Sequence, residues 1–206
     1  MKKKQLEIQL ERLTGFSNPS ADKEQYATPA SVAADLLYLA YLHGDLESVC
    51  DLGCGTGVLA IGSALLGANV VGVEIDPQSL RIARENATRL GVEVEFIRGD
   101  ANSVSLKGIK TVVMNPPFGA QKASAGDRGF LRKAVEIANV VYSIHNLGSE
   151  GFIRRIVEPC TVEEIYRIKF PLRRCFAFHS RDVKTIEVEL YRIMCRRNGT
   201  TRQEYQ

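Results

Sequence analysis

The 206-residue chain predicts an α/β fold, a doubly wound and mostly parallel sheet with helices on both faces and antiparallel strands at its C-terminal edge. Three observations carry this. Short apolar runs alternate with helix-like segments in a βαβαβ rhythm. A glycine-rich turn follows the first of these runs, at the strand end where such sheets bind ligands. The chain then closes on two β-rich runs with partial in-and-out alternation, the pattern of antiparallel edge strands.

Taken in order, Leu6, Ile8, Leu10 and Leu13 set among charges predict a short N-terminal helix, and Pro29 opens a second. Strand and helix then alternate over residues 46–52, 57–66, 69–74 and 77–90, followed by strands over 92–97 and 111–114. Residues 130–139 predict a helix, 140–144 a strand and 148–158 a helix, and the closing strands occupy 162–170 and 185–194. The irregular stretches are 15–28 and 119–129. A chain of this length supports one core, so residues 1–206 form a single domain, with 1–28 as an N-terminal helix and closing segment and 29–206 as the sheet core.

Hydrophobic content of 45% and charged content of 25% are ordinary for a globular protein. No stretch approaches the ~20 apolar residues of a membrane span, and no export signal is visible, so a cytoplasmic protein is expected. Cys50, Cys54, Cys160, Cys175 and Cys195 are an odd set without a CxxC pair, which predicts free, mostly buried thiols and no metal site. The formal charge of +3 is uneven, because residues 151–206 carry 12 Lys/Arg against 7 Asp/Glu. Arg154-Arg155, Arg173-Arg174 and Arg196-Arg197, with Phe170, Phe176, Phe178 and His179 among them, form a pattern suited to phosphates and bases, or simply a solvated basic face.

Asp51-Leu52-Gly53-Cys54-Gly55-Thr56-Gly57 follows a strand and opens a helix, where glycines let a ligand approach the backbone. Glu74 ends the next strand at the spacing of about 20 residues expected of a ribose-binding acid. Asp100 is expected to end the third. The run departs from GxGxxG, because Val58 and Leu59 follow Gly57, and no hydride-transfer constellation accompanies it. An adenosyl cofactor bearing a sulfonium fits better than a nicotinamide.

Asn115-Pro116-Pro117-Phe118 follows the apolar run Thr111-Val112-Val113-Met114. Two prolines give a stiff, extended corner without backbone donors, which presents carbonyl oxygens outward. The Asn115 side-chain oxygen and the Pro116 carbonyl can accept both hydrogens of a planar NH2 group, while Phe118 offers a face for stacking. Such a grip favours a pyramidal nitrogen, whose lone pair is then free to attack.

Together, DLGCGTG and MNPPFG resemble the class I methyltransferases that use S-adenosylmethionine, in the branch that methylates exocyclic amines. Glu24-Gln25-Tyr26-Ala27-Thr28-Pro29, Val141-Tyr142-Ser143-Ile144-His145 and Phe178-His179 with Ile186-Glu187-Val188-Glu189-Leu190 narrow the resemblance to the METTL5 family of ribosomal RNA adenine N6-methyltransferases and its archaeal relatives, over residues 20–193. The resemblance implies a seven-stranded Rossmann-like sheet. It further implies that Gln25 and Thr28 close over the cofactor, that Asp51, Gly53, Thr56 and Val58 line it, that Glu74 holds its ribose, and that Asp100 and Ala101 meet its adenine. Glu74 stands where relatives often have Asp, and Thr56 where some have Cys. From the residues alone, Thr28 equally suits an N-cap ahead of Pro29 at the first helical position.

The implied partners are an RNA substrate and, as in eukaryotic relatives, a small zinc-binding activator that pairs along a sheet edge, for which residues 92–97 are the candidate. A glutamine amide or the guanine N2 amine would suit the same motif. A scaffold that binds cofactor and RNA without turnover is the alternative of another class. Lys122 and Arg128 mark the 119–129 loop either as an RNA-covering segment or as plain surface.

Overall fold

The computed structural model of the protein describes residues 1–17, 27–117, 127–173 and 183–195. Two helices lead, α1 (Lys3–Leu10) and α2 (Ala30–Leu42). The first parallel half follows as β1 (Ser48–Leu52), α3 (Val58–Leu65), β2 (Asn69–Glu74), α4 (Pro77–Leu90) and β3 (Glu95–Arg98). The second comprises β4 (Thr111–Met114), α5 (Asp127–Ile137), β5 (Val140–Asn146), α6 (Glu150–Val157), β6 (Thr161–Arg173) and β7 (Val183–Met194). These make one seven-stranded sheet in the order β3-β2-β1-β4-β5-β7-β6. Strands β1 to β5 run parallel, and β7 runs antiparallel to both β5 and β6, as the sequence predicts.

Strand β1 pairs with β2 on one side and β4 on the other, so the chain winds outward in opposite directions from this central pair. That switch point leaves a crevice beyond the carboxyl ends of β1 and β4. The glycine turn leaves β1 there, and Asn115 leaves β4.

The two-residue period of the strands divides the core between two faces. Val49, Val113 and Ile144 pack against α1, α2 and α3 through Leu6, Leu10, Ala33, Leu37 and Leu59. Cys50, Val112, Met114 and Val141 pack against α5 and α6 through Leu131, Ala134, Ile153 and Val157. Helix α4 starts where its sequence directs, with Asp76 Oδ2 accepting from the Ser79 N–H at 3.1 Å and Pro77 in the first turn.

Four expectations need correction. Strand β3 begins at Glu95 rather than residue 92, because Gly91 ends α4 in a left-handed conformation and the Val92 N–H turns back to the Ala87 carbonyl at 3.1 Å. It ends at Arg98, so Asp100 lies two residues past it. Helix α2 begins at Ala30 with Pro29 as its N-cap, one residue later than the N-cap role for Thr28 requires. Finally, Cys160 and Cys195 form a disulfide with their Cα atoms 4.4 Å apart. Thr161 lies opposite Met194 in the β6–β7 ladder, so the residues just outside that pair face each other. Cys50 and Cys54 are free and buried as expected, and Cys175 lies outside the described residues. No helix among the described residues is long and apolar enough to cross a membrane.

Candidate active site

The turn after β1 is built around residues in left-handed conformations. Gly53 has φ 79° and Gly55 φ 53°, and a side chain at either would also collide with an aromatic ring: a Cβ on Gly53 would lie 2.8 Å from Phe130 Cε1, and one on Gly55 2.9 Å from Phe16 Cζ. The turn is tied to β2, because the Gly53 and Cys54 N–H groups both donate to the Val73 carbonyl at 2.9 Å. Gly57 then opens α3.

Two carboxylates brace it. Asp51 is buried at 2% exposure, and its Oδ2 accepts from the Ala60 N–H at 2.8 Å in the first turn of α3. Burial pushes its pKa up to about 7, with the Ala60 N–H opposing and the charge of Glu74 adding to the rise. Glu74 Oε2 accepts from the Gly55 N–H and Oε1 from the Asp76 N–H, each at 2.9 Å. Each oxygen keeps a further acceptor direction. Burial pushes the Cys54 thiol well above its ordinary value, which keeps it protonated and a poor nucleophile.

Across the crevice, Asn115 Nδ2 donates to Thr28 Oγ1 at 3.1 Å. This turns Asn115 Oδ1 away from Thr28, and it is a buried oxygen with no hydrogen-bond partner among the described residues, as is Thr56 Oγ1. Thr28, Asp51, Gly53, Thr56, Val58 and Asn115 share one cleft, joined by Phe16. Glu74 reaches it through Gly55.

Other predicted residues either do not line this cleft or lie outside the described residues. Asp100 is exposed, its Oδ1 accepting from the Asn102 N–H at 2.9 Å, and Ala101 is buried in the core beneath α5. Pro116 is buried and Pro117 half-buried. Gln25, Phe118, Lys122, Phe176, Phe178, His179 and Arg174, Arg196 and Arg197 lie outside the described residues. Arg128 lies over the Phe152 ring at 5.9 Å, and Arg154 is held by Glu150 at 2.8 Å. A larger groove of about 960 Å³ lies at the opposite end of the sheet, between the starts of β1 and β2, the end of α4 and residues 91–96. It has none of the predicted site residues, several of which line the smaller cleft at the switch point.

Sequence reasoning missed Phe16, Phe130 and Asn86, whose fully buried amide reaches the carbonyl of Thr56. The only hint was a polar residue on the buried face of α4, beside Ile82, Ala83 and Ala87.

A family description, the methyltransferase small domain, matches residues 32–139. The rRNA N(6)-adenosine-methyltransferase METTL5 of Danio rerio is 34% identical over 203 residues, covering 93% of this chain and 98% of that protein. The chain belongs to the METTL5 methyltransferase family. A Methanocaldococcus jannaschii protein is 41% identical over 94% of each chain. Among solved structures, a candidate RNA methyltransferase from Pyrococcus horikoshii superposes with a TM-score of 0.84 at 39% identity, covering 95% of this chain and 98% of that one.

A methyltransferase of this family and fold uses S-adenosylmethionine, and the cleft suits it. The glycine turn exposes backbone without side chains, the Asp51 and Glu74 carboxylates suit a cationic ligand, and Thr56 Oγ1 is a buried polar atom with no partner among the described residues.

Proposed function

We propose that this METTL5-family enzyme methylates the exocyclic N6 amine of an adenine in ribosomal RNA of the small subunit. The supporting observation is the Asn115 side chain, which lines the cleft with its Nδ2 held by Thr28 and its buried Oδ1 without a partner among the described residues. Bound S-adenosylmethionine supplies an electrophilic methyl group on a sulfonium. In this reading Asn115 Oδ1 and the Pro116 carbonyl accept the two amine hydrogens, and Phe118 stacks on a base taken out of its helix. Gly53, Thr56 and Val58 line the methionine and ribose side, Glu74 takes ribose hydroxyls on its open acceptor directions, and Gln25 and Thr28 close the cleft. Asp100 and Ala101 are assigned to the adenine of the cofactor. The residues work by orientation and water exclusion, without a strong base. A cytoplasmic location goes with this substrate.

Mass spectrometry of nucleosides and of protein glutamine, after incubating the enzyme with cofactor, RNA and cell extract, tests the assignment. N6-methyladenosine in the small-subunit RNA is the expected product. N2-methylguanosine or methylated glutamine would replace it, and cofactor binding without any product would leave a scaffold.

The activator is proposed to pair along β3. This strand ends the sheet, and Phe96 turns inward beside the 960 Å³ groove while Glu95 stays exposed. Added activator should then slow amide exchange across residues 95–98.

Asp51 makes both stability and cofactor binding pH-dependent. Between the ordinary carboxylate range and about 7, the folded chain keeps a proton that the unfolded chain has released. Stability from this residue therefore falls as pH rises through that window and levels off above it. Asp51→Asn should flatten that part of the Tm-against-pH curve. Affinity for the cofactor, whose ammonium prefers an ionised Asp51, should rise through pH 7 in the parent and stay flat in Asp51→Asn, as read by calorimetry.

A further inference from the structure

Outside the residues assigned above, the middle of α4 carries a buried amide. Asn86 is fully buried, and an amide at such a place costs free energy unless each polar atom is paired. Here every one is. The Thr14 N–H donates to Asn86 Oδ1 at 2.9 Å, and Asn86 Nδ2 donates to the Thr14 carbonyl at 2.9 Å and to the Thr56 carbonyl at 3.0 Å. One oxygen facing an N–H and one nitrogen facing two carbonyls fix the orientation of the amide without ambiguity. A single side chain thus joins the segment after α1, 72 residues earlier in the chain, to the glycine turn, 30 residues earlier.

Two exposed neighbours extend the seam along α4. Arg89 Nη1 donates to the Arg12 carbonyl at 3.1 Å and to Thr14 Oγ1 at 3.0 Å, and Gln78 Nε2 donates to Ser17 Oγ at 2.8 Å. Residues 12–17 are therefore laid along the helix. The consequence falls on Phe16, which comes to rest against Gly55 and joins the lining of the cleft. Gly55 is then fixed from three sides: Glu74 on its N–H, Phe16 over its Cα, and Asn86 on the next residue's carbonyl.

We propose that Asn86 is a positioning residue that docks residues 14–16 onto the glycine turn, making Phe16 a wall of the cofactor cleft. An aromatic wall there keeps water from the Asp51 and Glu74 carboxylates and strengthens their attraction for a cationic ligand. The inference rests on the reading of this cleft as the S-adenosylmethionine site, and it adds a residue pair that acts on cofactor affinity rather than on methyl transfer.

Asn86→Asp keeps the acceptor for Thr14 but loses both donated bonds and sets a charge against two carbonyls. Phe16→Ala removes the wall and leaves the Asn86 bonds in place. Each variant should raise the Kd for S-adenosylhomocysteine and the KM for cofactor by about tenfold. kcat and the KM for RNA should stay within about twofold, a split that a general loss of folding would not produce. Amide exchange at residues 14–17 should accelerate in Asn86→Asp and stay slow at Thr14 in Phe16→Ala. An unchanged Kd in Phe16→Ala overturns the proposal, as does an unchanged Kd in Asn86→Asp alongside faster exchange. If Asn86→Asp fails to fold, Phe16→Ala alone decides. Failure of the parent to bind S-adenosylhomocysteine while its residues 14–17 stay protected would instead remove the cofactor reading on which the proposal stands.

Discussion

Replacing Asn115 with alanine is expected to lower kcat for methyl transfer by about 10²–10³-fold, the size of effect seen when one preorganised polar contact to a reacting group is lost. The Kd for S-adenosylhomocysteine should stay within about twofold, because the variant leaves the glycine turn, Asp51 and Glu74 untouched. The way the amide is held decides which atom meets the substrate. Asn115 Nδ2 is committed to Thr28 Oγ1, so it is Oδ1 that is left for an incoming N–H. Thr28→Val removes the acceptor that sets this orientation, and Thr28→Ser keeps it. The valine variant should therefore lose about tenfold in kcat, about the worth of one hydrogen bond, and serine should recover most of it. If Asn115→Ala turned over normally, the acceptor would be gripped by other groups. If its cofactor affinity fell as far as its rate, Asn115 would belong to the cofactor pocket.

What the sequence made legible follows from how local each cause is. The buried parallel strands β1, β2 and β4 read as continuous apolar runs and lie close to where they were expected. The glycine turn was legible because left-handed φ is a demand that a single residue type meets. The Asp76 and Pro77 start of α4 was local too. The misses depend on partners far along the chain. Thr28 reads locally as a helix cap, yet the cap is Pro29 and the partner of the Thr28 hydroxyl is Asn115, 87 residues on. Cys160 and Cys195 face each other only because of the β6–β7 register, 35 residues apart. Asn86 draws its three bonds from Thr14 and Thr56, and nothing in its neighbours along α4 announces either. Strand β3 was misplaced for a local reason that could have been weighed, since a glycine closing a helix takes the next residue back into the helix end.

Replacing Asp45 with alanine should produce the largest loss of stability, about 3–5 kcal/mol, because it leaves the Arg192 charge largely buried without its main partner. Asp45 lies between α2 and β1, at the end of the sheet away from the cleft. Its Oδ2 accepts from Tyr142 Oη at 2.6 Å and Arg192 Nε at 3.1 Å, and its backbone carbonyl accepts from Thr111 Oγ1 at 2.6 Å. Arg192 Nε also donates to Tyr142 Oη at 2.9 Å, so one carboxylate closes a triangle that ties the α2 end to β5 and β7. Both charged side chains are mostly covered, at 14% for Asp45 and 13% for Arg192, so solvent screens them little. Burial, followed by Asp45, holds the Tyr142 phenol far above its ordinary range, so it stays a donor at any working pH. Among the described residues the other carboxylate near Arg192 is Glu164 at 3.8 Å, too distant for a good hydrogen bond and shared with His43 at 3.1 Å. For a domain of this size the loss corresponds to a fall in Tm of about 6–20 °C. Pairing Asp45→Ala with Arg192→Met decides the cause, since removing the stranded charge should restore part of the Tm. If the double variant were less stable than Asp45→Ala, packing by the Arg192 stem would matter more than its charge. The folded fraction of Asp45→Ala should keep the parent's kcat, because the triangle and the methyl-transfer cleft occupy opposite ends of the same strands.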